Sequence, residues 1–234
     1  MELQQLFHYP GKDLEAMSFA VNYHTWILKE IEPFLGDVTA EVGAGRGTFS
    51  QLLLTTTMKC LYAFEPSTEM FSLLAQNLQD QGRACVVHGF FDPGFLHELL
   101  DSICYINVLE HVQDDLAELL KAREALKPRG RLILFVPALE WLYSDQDRSI
   151  GHFRRYTQKK LHQLVRSAGF TITASRYFDL AGILPWFLNF VVLKNSLNSG
   201  NVSLYDRVVV PVMRRVESAI TPPIGKNILL IAQK

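Results

Sequence analysis

Four short clusters hold most of the side chains that could do chemistry. The first is Glu41-Val42-Gly43-Ala44-Gly45-Arg46-Gly47. Glycines let a backbone take positive φ and let a ligand approach without meeting a Cβ. The dinucleotide fingerprint Gly-x-Gly-x-x-Gly uses that freedom to seat a pyrophosphate on a helix N-terminus. Here Gly47 comes one residue early, and Thr48 stands where that fingerprint has glycine. The acidic Glu41 also enters the turn. A carboxylate opposes a pyrophosphate and suits a cationic group, such as the amino group of a bound amino acid. The second cluster is Phe64-Glu65-Pro66, with Glu65 following Gly45 by 20 residues. That is the separation expected of an acid that hydrogen-bonds both ribose hydroxyls. In the third, His88-Gly89-Phe90-Phe91-Asp92, Gly89 and Phe90 offer backbone hydrogen bonds and a ring face to a planar base, with aromatic core packing as the plainer alternative. The fourth is Asn107-Val108-Leu109-Glu110-His111-Val112, polar groups emerging just past an apolar run.

These clusters need a frame that brings them to one edge, and the apolar pattern supplies it. Runs at 38–42, 60–64, 84–87, 103–106 and 132–136 read as short strands. Between them lie amphipathic helices at 49–54 and 68–78, the latter capped by Ser67. A third, capped by Asp114 or Asp115, carries Leu116, Leu119, Leu120 and Leu126 on one face. Pro128-Arg129-Gly130 reads as a turn. Such alternation implies right-handed crossovers and a parallel sheet covered on both faces. Ligands of such sheets bind beyond the carboxyl ends of the strands, where the strand order reverses, and all four clusters follow strands. An earlier helix capped by Asp13 runs from Leu14 to about Pro33. After residue 137 come a polar-aromatic loop, a helix capped by Thr157 and stopped by Gly169, a strand over 170–177, irregular helices over 179–222, and a last strand over 227–232. The expected fold is α/β: a doubly wound, seven-stranded, mostly parallel, Rossmann-like sheet with an antiparallel last strand and a helical lid insertion. It forms one domain over 1–234, with a helical cap (1–36), a cofactor core (37–137), a substrate region (138–178), the insertion (179–222) and the last strand (223–234).

Bulk properties narrow the partners. The formal net charge of −1 lacks the basic surplus of a nucleic-acid binder. Cys60, Cys85 and Cys104 sit in apolar runs without metal-ligand spacing, so reduced buried thiols and no metal are expected. The first residues lack a signal peptide's pattern, and no run reaches the ~20 apolar residues of a membrane span. A cytoplasmic protein, monomer or homodimer, is the expectation. The apolar segments 183–188 and 208–213 in the insertion need cover from the sheet end as a lid, from a second copy, or from peripheral contact with a membrane.

Taken together and in order, the Glu41–Gly47 turn, Phe64-Glu65-Pro66, Asn107–Val112 and Leu-Lys-Pro-Arg-Gly-Arg-Leu-Ile-Leu at 126–134 resemble class I S-adenosylmethionine (SAM)-dependent methyltransferases. The similarity is greatest to the small-molecule branch with ubiquinone-type enzymes. It covers about residues 20–178 plus the last strand. The resemblance implies SAM as cofactor and S-adenosylhomocysteine as product. It implies that Glu41, Gly43, Ala44, Gly45 and Gly47 line the methionine end and that Glu65, beside Pro66, holds the ribose. Gly89, Phe90 and Phe91 would lie at the adenine, Asn107 and Val108 at the methionine moiety. Tyr23 and Trp26 would form a lid over the cofactor. Many members place an aspartate at the adenine where Phe90 and Phe91 intervene before Asp92.

Methyl transfer from a sulfonium expels a neutral leaving group, so the protein must align the nucleophile, exclude water and remove a proton from a hydroxyl or ammonium. Histidine is the natural base. His111 is one candidate, though in relatives this position often serves the helix start. His152, in Gly151-His152-Phe153-Arg154-Arg155-Tyr156, is the other. The segment from Trp141 through Tyr143 to Tyr156 resembles a signature of some bacterial methyltransferases, and Arg154 and Arg155 could clamp an anionic or hydroxylated acceptor. A solvated basic helix entry is the alternative. The apolar insertion weakly favours a lipophilic or aromatic acceptor. A methyltransferase-like binding module and a nicotinamide-dependent oxidoreductase remain the competing readings, the latter opposed by Glu41 and the early Gly47.

Overall fold

The computed structural model describes residues 20–195 and 199–234. The start of the first helix expected from Asp13, through Leu14 and Met17, lies outside them. What is described begins with α1 (Val21–Ile31), followed by β1 (Val38–Val42), α2 (Thr48–Leu53), β2 (Cys60–Glu65), α3 (Thr68–Leu78), β3 (Ala84–His88) and β4 (Leu100–Ile106). Then come α4 (Asp115–Ala125), β5 (Leu126–Pro137), α5 (Asp145–Ser149), α6 (Gln158–Ser167), β6 (Thr171–Phe178), α7 (Ile183–Trp186), α8 (Ser199–Ala219) and β7 (Asn227–Gln233).

The seven strands form one sheet in the order β3-β2-β1-β4-β5-β7-β6. Strands β1 to β5 run parallel, and β7 pairs antiparallel with both β5 and β6. Strand order reverses between β1 and β4, so the ends of those two strands open a crevice. Alternate residues face two apolar layers. On one face Val38, Ala40 and Val42 pack with Leu119, Ala122 and Ala125 of α4 and Leu161 and Val165 of α6. On the other, Leu61, Ala63, Cys104 and Phe135 pack under Trp26 and Ile27 of α1, Leu53 of α2 and Leu74 of α3.

The caps form as expected at Ser67, Asp114 and Thr157, each of which accepts from a backbone N–H in the first turn of its helix. Gly169, at φ 82°, ends α6. Several expectations need correction. Helix α4 buries Leu119, Ala122 and Ala125, whereas Leu116 and Leu120 are exposed and Leu126 already belongs to β5. The stripe that faces the sheet is set by Glu118, which is buried and accepts from the Tyr105 hydroxyl of β4, and Leu119, Ala122 and Ala125 follow it inward. The Pro128-Arg129-Gly130 turn is absorbed into a longer β5, with Arg129 at φ 66° and a register shift opposite Leu100/Ser102. The insertion is more regular than expected: a short α7, a π-helical turn over Phe187–Val192, and the 21-residue α8.

Helix α8 anchors α1. Ala20 gives α1 no side-chain cap. Asp206 of α8 supplies one, accepting from the backbone N–H of Asn22 (3.1 Å) and Tyr23 (2.8 Å). A carboxylate there answers the unpaired N–H groups and the positive end of the helix dipole.

Candidate active site

The ends of β1, β2 and β4 border a cavity of about 650 Å³. Its lining includes Glu41, Gly43, Ala44, Gly45, Glu65, Pro66, Gly89, Phe90, Phe91, Asn107, Val108 and Tyr23. Gly43, Gly45 and Gly47 all have positive φ. At Gly43 the need is also steric, since a Cβ would lie 2.6 Å from Val108 Cγ2. Gly47, at the N-cap of α2, packs on Leu74 and is not part of the wall.

Glu65 ties two turns together. Its Oε2 accepts from Gly45 N and its Oε1 from Ser67 N, both at 2.8 Å. It thereby ties the glycine turn to the end of β2, and burial raises its pKa despite those two donors. Each oxygen keeps lone-pair capacity toward the cavity. Glu41 lies deeper, accepts from the Ser50 hydroxyl, and is pushed up to about 8 by burial, with repulsion from Glu65 adding to the rise. Among the described residues neither carboxylate makes an ion pair.

Phe90 stands 63% exposed on the wall, while Phe91 is buried edge-on to Phe64 at 5.1 Å. The plainer packing role thus applies to most of Phe91. Asn107 takes φ 55°, and its side chain donates to Glu110 Oε1 at 3.2 Å. Trp26 is not a lid residue. It is fully buried against Phe178, ring centroids 3.9 Å apart, and does not line the cavity.

The rest of the wall comes from the segments after β4 and β5. His111, His152 and Arg155 line the cavity. His152 Nδ1 hydrogen-bonds Asp147 Oδ1 at 2.9 Å. Asp147 is fully buried, closes a capping box with Ser144 and pairs with Arg155 at 2.9 Å. His152 Nε2 lies 3.8 Å from Glu110 Oε1. The His111 ring meets that of His152 edge-on, centroids 4.6 Å apart. Burial first, then the neighbouring His152, lowers the His111 pKa to about 3. His111 therefore stays neutral at ordinary pH and is a poor proton acceptor.

Four expected acceptor contacts are structural instead. Trp141 is 54% exposed and packs on Phe187, away from the cavity. The Tyr143 hydroxyl donates to the His152 carbonyl at 2.7 Å. Arg154 pairs with Asp115, and Tyr156 is buried with its hydroxyl on Asp115 and Leu109 O. Sequence spacing could not separate these from Arg155, because the bridge between Ala138 and Tyr156 fixes which side chains turn inward.

Other wall residues were missed. Trp186 and Lys226 meet over the cavity, with Lys226 Nζ 2.9 Å from Asp179 Oδ2 and 5.2 Å from the Tyr23 ring centre. His24, lowered to about 4 by burial, also lines it. Asp147, which holds His152 from behind the wall, did leave a sequence signal, the capping-box spacing from Ser144. Glu110, His111 and His152 present donor atoms within 4.8 Å of one another, a donor set that could accept a cation although no metal was expected.

A sheet with β7 antiparallel between β5 and β6, and acids at the ends of β1 and β2, has the architecture of class I SAM-dependent methyltransferases. The methyltransferase-domain family matches residues 35–175, more than half of the 234-residue chain, and the chain belongs to it. The match does not single out the ubiquinone-type branch. Solved structures of similar fold include the partner of the Trm112 methyltransferase activator in a Haloferax volcanii complex (14% identity, TM-score 0.64, covering 96% of this chain and 94% of that one). An Archaeoglobus fulgidus SAM-dependent methyltransferase matches at 15% identity and TM-score 0.63, over 95% and 99% of the two chains. A Burkholderia thailandensis 1,6-didemethyltoxoflavin-N1-methyltransferase, solved with its substrate and S-adenosylhomocysteine, matches at 17% and 0.60, over 96% and 82%. None of the curated proteins compared with the chain matches it.

The residues fit SAM. Two buried carboxylates without a basic partner face a cavity of the size small ligands occupy, which suits a ligand carrying an ammonium and a sulfonium.

Proposed function

We propose that the chain transfers a methyl group from SAM to a hydroxyl or amine of a small, largely apolar acceptor held in this cavity. The observation that carries the reading is continuity: the Glu41/Glu65 turn and His152 border one cavity. Bound SAM would supply an electrophilic methyl on a sulfonium whose leaving group is a neutral thioether. Glu41 and Asn107 would hold its amino-acid end, and Glu65 would receive the ribose hydroxyls while keeping the turn in place. The Phe153 and Trp186 rings give the acceptor an apolar wall and exclude water. His152, its Nδ1 fixed by Asp147, turns Nε2 to the acceptor and takes its proton. Asp147 acts as a positioning residue: it sets the tautomer and stabilises the imidazolium that forms.

The test is turnover with radiolabelled SAM against a panel of phenols, catechols and amines. His152→Ala should lower kcat by about 10²–10⁴ while SAM affinity stays within about twofold of wild type. Equal turnover would remove His152 as the base. Asp147→Asn should lower kcat and shift the pH profile, which loss of packing alone would not do. A chelator should leave the rate unchanged; a loss restored by a divalent cation would assign Glu110, His111 and His152 to a metal instead. SAM binding without turnover of any acceptor would favour a binding module.

A further inference from the structure

The outer face of α8 is apolar, and none of the described residues covers it. Leu204, Val208, Val212 and Val216 recur every fourth residue and are 43–65% exposed. At about 100° per residue they sweep an arc of roughly 120° along the helix. The inner face is also occupied: Asp206, Val210 and Glu217 are buried. Val210 packs into the core with Val202, Tyr205 and Met213 beside it, so the outer apolar stripe is a second one, and among the described residues it has no cover.

The charges on α8 say what the cover is. Its two acids are spent inside the protein, Asp206 on the start of α1 and Glu217 on the backbone N–H groups of Asp179 and Leu180. Of the remaining charges, Arg215 lies within the apolar arc and the exposed Arg207 sits about 60° beyond its edge, while the half-buried Arg214 is turned farther toward the inner face. Among the described residues none of the three makes an ion pair. A second copy fits poorly. A two-fold interface presents a patch to itself, which would desolvate Arg207 and Arg215 of both copies with no acid from either α8 to meet them. An anionic lipid surface answers both features, taking the apolar side chains into the acyl boundary and the arginines into the headgroups.

We infer that the outer face of α8 docks the protein on an anionic membrane surface. The contact is peripheral, since no helix among the described residues is long and apolar enough to cross a membrane. Docking there sets the cavity one helix from the lipid. Asp206 holds Tyr23, which lines the cavity, and the Tyr205 ring lies 6.0 Å from Lys226, which also lines it. The neighbouring α7 sends Trp186 into the cavity and leaves Leu184 exposed. An acceptor dissolved in the bilayer would have a short route in.

The test is cosedimentation of the full chain with vesicles of phosphatidylcholine alone or with phosphatidylglycerol, paired with light scattering. The wild type should pellet with the anionic vesicles, release in high salt and stay soluble with neutral ones. Each arginine is worth about fivefold in binding, so Arg207→Glu/Arg215→Glu should weaken it by at least about tenfold with an unchanged melting temperature. Val208→Asp/Val212→Asp should do the same. No pelleting, or equal pelleting on both vesicles, would overturn the inference. So would a wild-type dimer that Val208→Asp/Val212→Asp splits, which would assign the face to a second copy. Because lipid binding is read without substrate, its failure is separable from failure of the methyl-transfer reading.

Discussion

Glu41 is the residue whose ionisation the fold perturbs to clearest effect. Its carboxyl titrates at about 8 in the folded protein against an ordinary 4.5. Between those pH values the folded protein holds a proton that the unfolded chain has released. Stability therefore falls as pH rises through this window, by at most about 1.4 kcal/mol per pH unit. Glu41→Gln removes the dependence, so the variant without cofactor should gain on the wild type as pH climbs from 5 to 8. Thermal melts at three pH values check this, and parallel curves would contradict it. An ammonium seated on Glu41 favours the carboxylate, so SAM binding near neutral pH should release up to one proton. Calorimetry in buffers of different ionisation heat reads that proton, and Glu41→Gln should abolish it. The position of Glu41 in the turn was legible in the sequence. Its pairing with Ser50 was not, because the hydroxyl comes from the next helix. Glu65 was legible as an acid at the end of β2, but its grip on Gly45 and Ser67 depends on how two βα turns abut.

At the scale of elements, the strands and caps were the most legible features, since short apolar runs and Ser, Thr or Asp ahead of a helix act locally. The acceptor segment was read less well. Trp141, Tyr143, Arg154 and Tyr156 share the composition of a binding loop, yet with Ala138 paired to Tyr156 it is His152, Phe153 and Arg155 that reach the cavity. The capping of α1 by α8 was invisible, because its partners are 184 residues apart. Asp206→Ala should leave the first N–H groups of α1 unpaired and cost about 2 kcal/mol, read by denaturant unfolding. Through Tyr23 it should also weaken SAM binding, whereas Thr157→Ala, which removes a cap on the far α6, should cost about 1 kcal/mol and leave SAM affinity alone.

Across the whole molecule, the two apolar layers hold the sheet while the crevice between β1 and β4 gathers groups from every part of the chain: Tyr23 from α1, Glu65 from β2, His152 after β5, and Lys226 before β7. Topology brings them together, which is why the class of protein could be read from four motifs and the acceptor could not. The central claim is that this crevice is a SAM site. Isothermal calorimetry with SAM and with NAD tests it most directly. The account predicts saturable 1:1 binding of SAM, none of NAD, and a loss of at least about tenfold in SAM affinity for a folded Glu65→Ala variant. Binding of NAD in preference to SAM, or SAM affinity unchanged in that variant, would contradict it.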